Sequence, residues 1–169
     1  MVPSFEHEDV KGLIGRLVEV YAEELDIDIA SGGSTTLGRE DLDRGIESDE
    51  CYYIANAPRV RGKETLELPV DPPPDLAIEV DLASSSSGKL EIYAARGIAE
   101  VWRYTGDSVV IYRLHEDGHY AASPTSAALP QFPLRELNRL LRSRGLRSET
   151  QLARRFRKWI RDHLRDRLT

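Results

Sequence analysis

Asp75-Leu76-Ala77-Ile78-Glu79-Val80-Asp81 follows three consecutive prolines and alternates apolar with acidic side chains. The prolines at 72–74 continue neither a helix nor a ladder, so they deliver the chain in extended form. With the two-residue period of a β-strand, Leu76, Ile78, Val80 and Leu82 share one face, and Asp75, Ala77, Glu79 and Asp81 share the other. Three carboxylates on one face of an interior strand repel each other and are costly to bury unless a cation neutralises them. Lys89 comes eight residues after Asp81, beyond a run of four serines. Oxygen ligands for a hard cation, with a positive group nearby for a water or phosphate, are what metal-dependent phosphodiester hydrolysis requires.

Upstream, residues 5–25 read as an amphipathic helix: Val10, Leu13, Ile14, Leu17, Val18, Tyr21 and Leu25 recur at three- and four-residue spacing, with Ser4 as N-cap. Glu24 falls on the apolar side of that wheel and Glu19 points away from it. Residues 26–30 read as a short strand and residues 31–36 as a turn; this glycine-serine-threonine run lacks the lysine and spacing of a nucleotide-binding loop. Residues 39–49 read as a loop or frayed helical turn, Glu50-Cys51-Tyr52-Tyr53-Ile54 as a strand, and residues 55–74 as a long connection.

Downstream, the serines at 84–87 offer caps for a helix from about Gly88 to Ala95, closed by Gly97. Glu100-Val101-Trp102-Arg103-Tyr104 and residues 108–114 read as paired strands around Thr105-Gly106-Asp107, followed by a short strand at 119–122. Two helices close the chain: Leu134, Leu137, Leu140 and Leu141 mark one; Leu152, Phe156, Trp159, Ile160 and Leu164 mark the other, with Ser148 and Gln151 as a capping box. The pattern indicates one α/β domain over residues 1–169, a central mixed sheet flanked by helices, with a basic helical segment at about 134–169.

The chain has 169 residues, 40% hydrophobic and 31% charged, the profile of a soluble globular protein. No apolar run approaches the roughly 20 residues needed to span a bilayer, and the N-terminus lacks the marks of a secretory signal. The single cysteine, Cys51, has no partner for a disulfide or a zinc site and reads as a small strand hydrophobe. The default compartment is the cytoplasm. Residues 135–169 hold 12 Lys and Arg against 4 Asp and Glu, a net +8, whereas residues 1–134 hold 11 against 25, a net −14. An acidic body with a basic tail is not a uniformly basic nucleic-acid binder; the tail either grips phosphate or balances the body.

The segment from Gly33 to Tyr104 resembles the Uma-type restriction endonuclease family, a branch of the PD-(D/E)XK nuclease superfamily. The likeness is carried by Gly33-Ser34-Thr35-Thr36-Leu37, by Glu47-Ser48-Asp49-Glu50-Cys51-Tyr52-Tyr53-Ile54, by Pro73-Pro74 with the acidic strand, and by Lys89-Leu90-Glu91-Ile92-Tyr93 with Gly97-Ile98-Ala99-Glu100-Val101-Trp102-Arg103-Tyr104. The resemblance implies a restriction-endonuclease-like core in which Asp49 and Glu79, on adjacent strands, hold a divalent cation. It places Lys89 at the family's lysine, moved in this branch from the strand to the following helix. Ser48 replaces the usual proline, and Asp81 stands where the superfamily pattern has its lysine.

The expectation is therefore a Mg²⁺- or Mn²⁺-dependent endodeoxyribonuclease with catalytic Asp49, Glu79 and Lys89 and metal ligands Asp49, Glu79 and Asp81, the last through a water. The first turn of the Lys89 helix adds partial positive charge. DNA is the expected substrate, with RNA the further option. The superfamily implies a homodimer, for which the Trp159 helix offers an apolar stripe. Asp75 reads as a cap for the turn after the prolines, His115 and His119 as loop residues, and Trp102 and Tyr104 as packing. The alternative is an inactive binding module on the same fold, favoured by the acidic body.

Overall fold

The computed structural model describes residues 3–37, 46–82 and 88–164. In chain order the elements are α1 (Phe5–Glu24), β1 (Ala30–Ser31), β2 (Thr36–Leu37), β3 (Ile46–Glu47), β4 (Glu50–Tyr53), α2 (Ala57–Val60), β5 (Leu76–Val80), α3 (Lys89–Ala95), β6 (Glu100–Tyr104), β7 (Val109–Leu114), β8 (Tyr120–Ser123), α4 (Leu134–Arg142) and α5 (Glu149–His163). The main sheet runs β1-β4-β5-β6-β7-β8, and β2 pairs with β3 separately. Among the described strands only β5 and β6 run parallel; a parallel pair needs a crossover, and α3 lies in the connection between them.

The acidic strand lies inside this sheet, and all five residues of β5 are buried. Its alternation sorts them onto two faces. Leu76, Ile78 and Val80 join the large core with α1, α4, α5, Trp102 and Tyr104. Ala77 faces the other way, into a smaller cluster with Tyr93 of α3, Ile98 and Val101. Glu79, two residues along, points to the α3 side, where its carboxylate meets Lys89 and Tyr93. The sheet is thus sandwiched between α1, α4 and α5 on one face and α3 on the other, an α/β arrangement.

Local chemistry explains the element ends. Ser4 Oγ accepts from His7 N at 3.1 Å and caps α1. In α5, Ser148 and Gln151 form the expected reciprocal capping box. The strand expected at residues 26–30 shrinks to Ala30–Ser31. Asp26 takes a left-handed backbone (φ 54°) and Ile27 N returns to Ala22 O at 2.9 Å, so this stretch completes the helix exit. Thr36–Leu37 and Ile46–Glu47 form a small antiparallel pair where a turn and a loop were expected. The connection at 55–74 contains the one-turn α2. The serines at 84–87 lie outside the described residues, and Gly88 caps α3 with no side-chain bond.

The basic tail has a visible destination. Arg157 Nη1 lies 2.7 Å from Glu24, and Arg161 Nε lies 2.8 Å from the same carboxylate, which is 5% exposed. Arg144 reaches Glu6 at 2.7 Å, and Arg16 of α1 reaches Glu149 of α5 at 3.6 Å. Glu24 therefore sits on the apolar side of its helix because two arginines meet it there. Glu19, expected to point away, accepts from Tyr52 Oη at 3.2 Å. The α5 stripe of Leu152, Ala153, Phe156 and Ile160 is buried in the chain's own core, so it is not free to form a dimer interface. Among the described residues no helix is long and apolar enough to cross a membrane.

Candidate active site

The acids expected from the sequence converge through strand register. β4 pairs antiparallel with β5, Glu50 opposite Ile78, so one step further Asp49 stands opposite Glu79. Asp49 is tied there: its Oδ2 accepts the Val80 N–H at 2.7 Å. Glu79 is 3% exposed. Its Oε2 lies 2.7 Å from Lys89 Nζ, and its Oε1 accepts from Tyr93 Oη. Lys89 and Tyr93 are four residues apart on α3 and so share one face of it. Asp81, just past β5, pairs through Oδ2 with Arg103 Nη2 at 2.6 Å.

These positions leave an electrostatic mark. Burial pushes the Glu79 carboxyl up to about 7; the hydrogen bond from Lys89 opposes the rise, and the charges of Asp49 and Asp81 add to it. For Lys89, burial works against the charge, but the hydrogen bond with Glu79 and the charges of Glu79, Asp49 and Asp81 outweigh it and hold the ammonium above its ordinary value. The structure thus brings Asp49, Glu79, Asp81 and Lys89 within electrostatic reach of one another, although Asp81 is turned to Arg103. No group of three His, Cys, Asp or Glu side chains among the described residues makes a ready-built metal cage. A hard cation that retains several waters needs only one or two carboxylates, which Asp49 and Glu79 could supply.

Three site residues escaped the sequence reading. In the sequence Tyr93 stands only as the end of the Lys89–Tyr93 segment of the family likeness, although its four-residue spacing from Lys89 is a usable signal. Arg103 pairs in register with Glu79 across β5 and β6, a relation visible only once the strands are known to be parallel. His7, from the first turn of α1, places Nε2 3.2 Å from Asp49 Oδ2, a contact 42 positions along the chain that no local pattern announces.

Other candidates resolve as structural. Asp75 accepts from Ile54 N at 2.6 Å and from Asn56 N and Nδ2 at 3.0 and 3.1 Å, fixing the start of α2. The segment from His115 to His119 is a turn closed by His115 N to His119 O at 2.9 Å. Trp102 is wholly buried against Phe132, ring centroids 4.6 Å apart, and Tyr104 is buried beside it in the core. Cys51 is fully buried, and burial pushes its thiol up to about 11, the opposite of an activated nucleophile.

No curated protein sequence matches this chain. In structure it is similar to a protein of Anabaena variabilis described as a "putative nuclease belonging to DUF820", with a TM-score of 0.57, 15% identity, and coverage of 83% of this chain and 84% of that one. At that identity the likeness concerns the fold, which is restriction-endonuclease-like. A family model described as "Putative restriction endonuclease" matches residues 1–153, taking in α1, the whole sheet, Lys89 and the N-terminal end of α5. With the match running over nearly all of its length, the chain belongs to the Uma2 family.

Proposed function

We propose that this protein is a divalent-cation-dependent endonuclease hydrolysing phosphodiester bonds of DNA, with Asp49, Glu79 and Lys89 as its catalytic groups. The observation that carries the reading is the environment of Glu79. A carboxylate 3% exposed, facing an ammonium at 2.7 Å and crowded by two further acids, is what a cation site needs and what a purely structural strand avoids.

Asp49 and Glu79 are the residues to hold Mg²⁺ or Mn²⁺, with Asp81 contributing through a water. When bound, such an ion lowers the pKa of a water and screens charge on the scissile phosphate. The chain's own groups have distinct tasks. Lys89, paired with Glu79, binds a phosphate oxygen or orients the attacking water. Its side chain is 43% exposed, so a substrate can reach it while the tip stays on Glu79. Tyr93 fixes the Glu79 carboxylate from the other oxygen. Two strands of a duplex need two cuts, so the proposed working unit is a homodimer.

Plasmid nicking with Mg²⁺ and Mn²⁺ tests this on purified Glu79→Ala and Asp49→Asn proteins. Both are expected to lose cleavage; activity retained in both removes these acids from the mechanism.

A second reading, a binding module without catalysis, has its own support. Each acid already has a protein partner: Lys89 for Glu79, Arg103 for Asp81, His7 for Asp49. The tail arginines that would grip a phosphate backbone include three committed to acids of α1. Calorimetry separates the two, because Mn²⁺ binding that depends on Glu79 belongs to the nuclease alone.

A further inference from the structure

We infer that His7 is a positioning residue for Asp49, one that commits a single oxygen of that carboxylate to the cation. The inference rests on the nuclease reading above. Asp49 Oδ2 faces two nitrogens, Val80 N at 2.7 Å and His7 Nε2 at 3.2 Å. Oδ1 has no hydrogen bond among the described residues. With both nitrogens on one oxygen, the carboxylate cannot rotate without losing both, and Oδ1 stays presented. Groups that hold a ligating carboxylate or imidazole from behind raise metal affinity by fixing its orientation.

The histidine is itself held. Its Nδ1 lies 3.1 Å from Glu8 Oε1, and Glu8 Oε2 in turn lies 2.6 Å from Lys11 Nζ. A ring flanked by a carboxylate at each nitrogen has little room to swing, and its side chain is only 16% exposed. Docking of α1 does not need this contact. Ser4 already caps the helix, and Val10, Leu13, Ile14 and Leu17, each at most 2% exposed, anchor it in the core. The residue is therefore placed for Asp49 rather than for the helix.

The test uses the full chain: wild type, Glu79→Gln, His7→Leu and His7→Gln, each titrated with Mn²⁺ by calorimetry and melted thermally. Gln carries an N–H donor near the place of the imidazole Nε2, whereas Leu fills the space without one. His7→Leu is expected to fold and to bind Mn²⁺ about 10-fold more weakly, the lower end for a lost supporting partner, with His7→Gln restoring most of that loss. Nicking by His7→Leu should recover at saturating Mn²⁺. Wild-type affinity in His7→Leu, no rescue by His7→Gln, or a His7→Leu protein that fails to fold would each overturn the role of His7. The nuclease reading would survive these results as long as Glu79→Gln abolishes binding. Wild-type protein with no Glu79-dependent Mn²⁺ binding would overturn both.

Discussion

Asp49 Oδ2 and the backbone N–H of Val80 meet at 2.7 Å, so the acid preceding β4 is fastened to the far end of β5 beside Glu79. The bond makes two substitutions at this position diverge. Asn keeps an oxygen for Val80 N and removes the charge. Ala removes both, leaving a strand-end donor to find water at a cost of about 1 kcal/mol. Asp49→Asn is expected to melt close to wild type yet lose Mn²⁺ binding, and Asp49→Ala to lose both. Thermal melts beside calorimetry decide it.

Tyr93 and Glu79 give a graded prediction. Tyr93→Phe keeps the buried ring and deletes only the hydroxyl, so stability should fall by about 1 kcal/mol. Nicking should fall about 10-fold, the scale of a supporting partner. Glu79→Gln should fall further, by more than about 100-fold. Equal activity in Tyr93→Phe and wild type would mean the hydroxyl does not steer the carboxylate.

Glu100 is the counterexample that a buried acid need not be catalytic. It is 1% exposed and accepts from Trp102 Nε1 at 2.7 Å, Ser126 Oγ at 2.5 Å, and Ala127 N and Ala128 N at 2.7 and 3.2 Å. Four donors account for its charge without any cation. Glu100→Ala should cost about 3 kcal/mol by stranding buried donors, with Mn²⁺ affinity unchanged in the protein that remains folded. Denaturant titration and calorimetry at a temperature below the melt check both halves.

The clamp between α1 and α5 is pH-dependent. Hydrogen bonding from Arg161, and with it Arg157, holds the Glu24 carboxyl below its ordinary 4.5. A group whose folded pKa is depressed stabilises the fold above its unfolded value, and that contribution is lost as pH falls through the folded one. Stability should therefore drop below about pH 4.5, and Glu24→Gln should flatten that limb while costing about 1 kcal/mol at pH 7. Melting curves from pH 3 to 7 on both proteins provide the comparison; parallel acid limbs would exclude Glu24 as a source of the effect.

Much of this is legible in the sequence, for identifiable reasons. The period-two face of β5 sorted Ile78 from Glu79 because the strand is buried on both sides. The leucines of α4 and α5, and the caps Ser4 and Ser148, followed from helix spacing and orphan amides. What escaped was non-local or set by backbone conformation. The β2–β3 pair is two residues a side, too short for periodicity to show. Asp26 turns left-handed, which a strand reading of residues 26–30 could not anticipate. The contacts of Arg103 and His7 arise only after strands and helix are assembled.

The two halves of the constellation differ in how they are built. Glu79, Lys89 and Tyr93 are close neighbours in sequence and meet directly, whereas Asp49 acquires His7 only once α1 is seated. An affinity handle or fusion partner joined directly before Ser4 would disturb the turn bearing His7 while sparing the span that bears Lys89. On the proposed mechanism such a protein would keep its core yet be deficient at one carboxylate alone, so assays of this chain are better served by a handle at the opposite end.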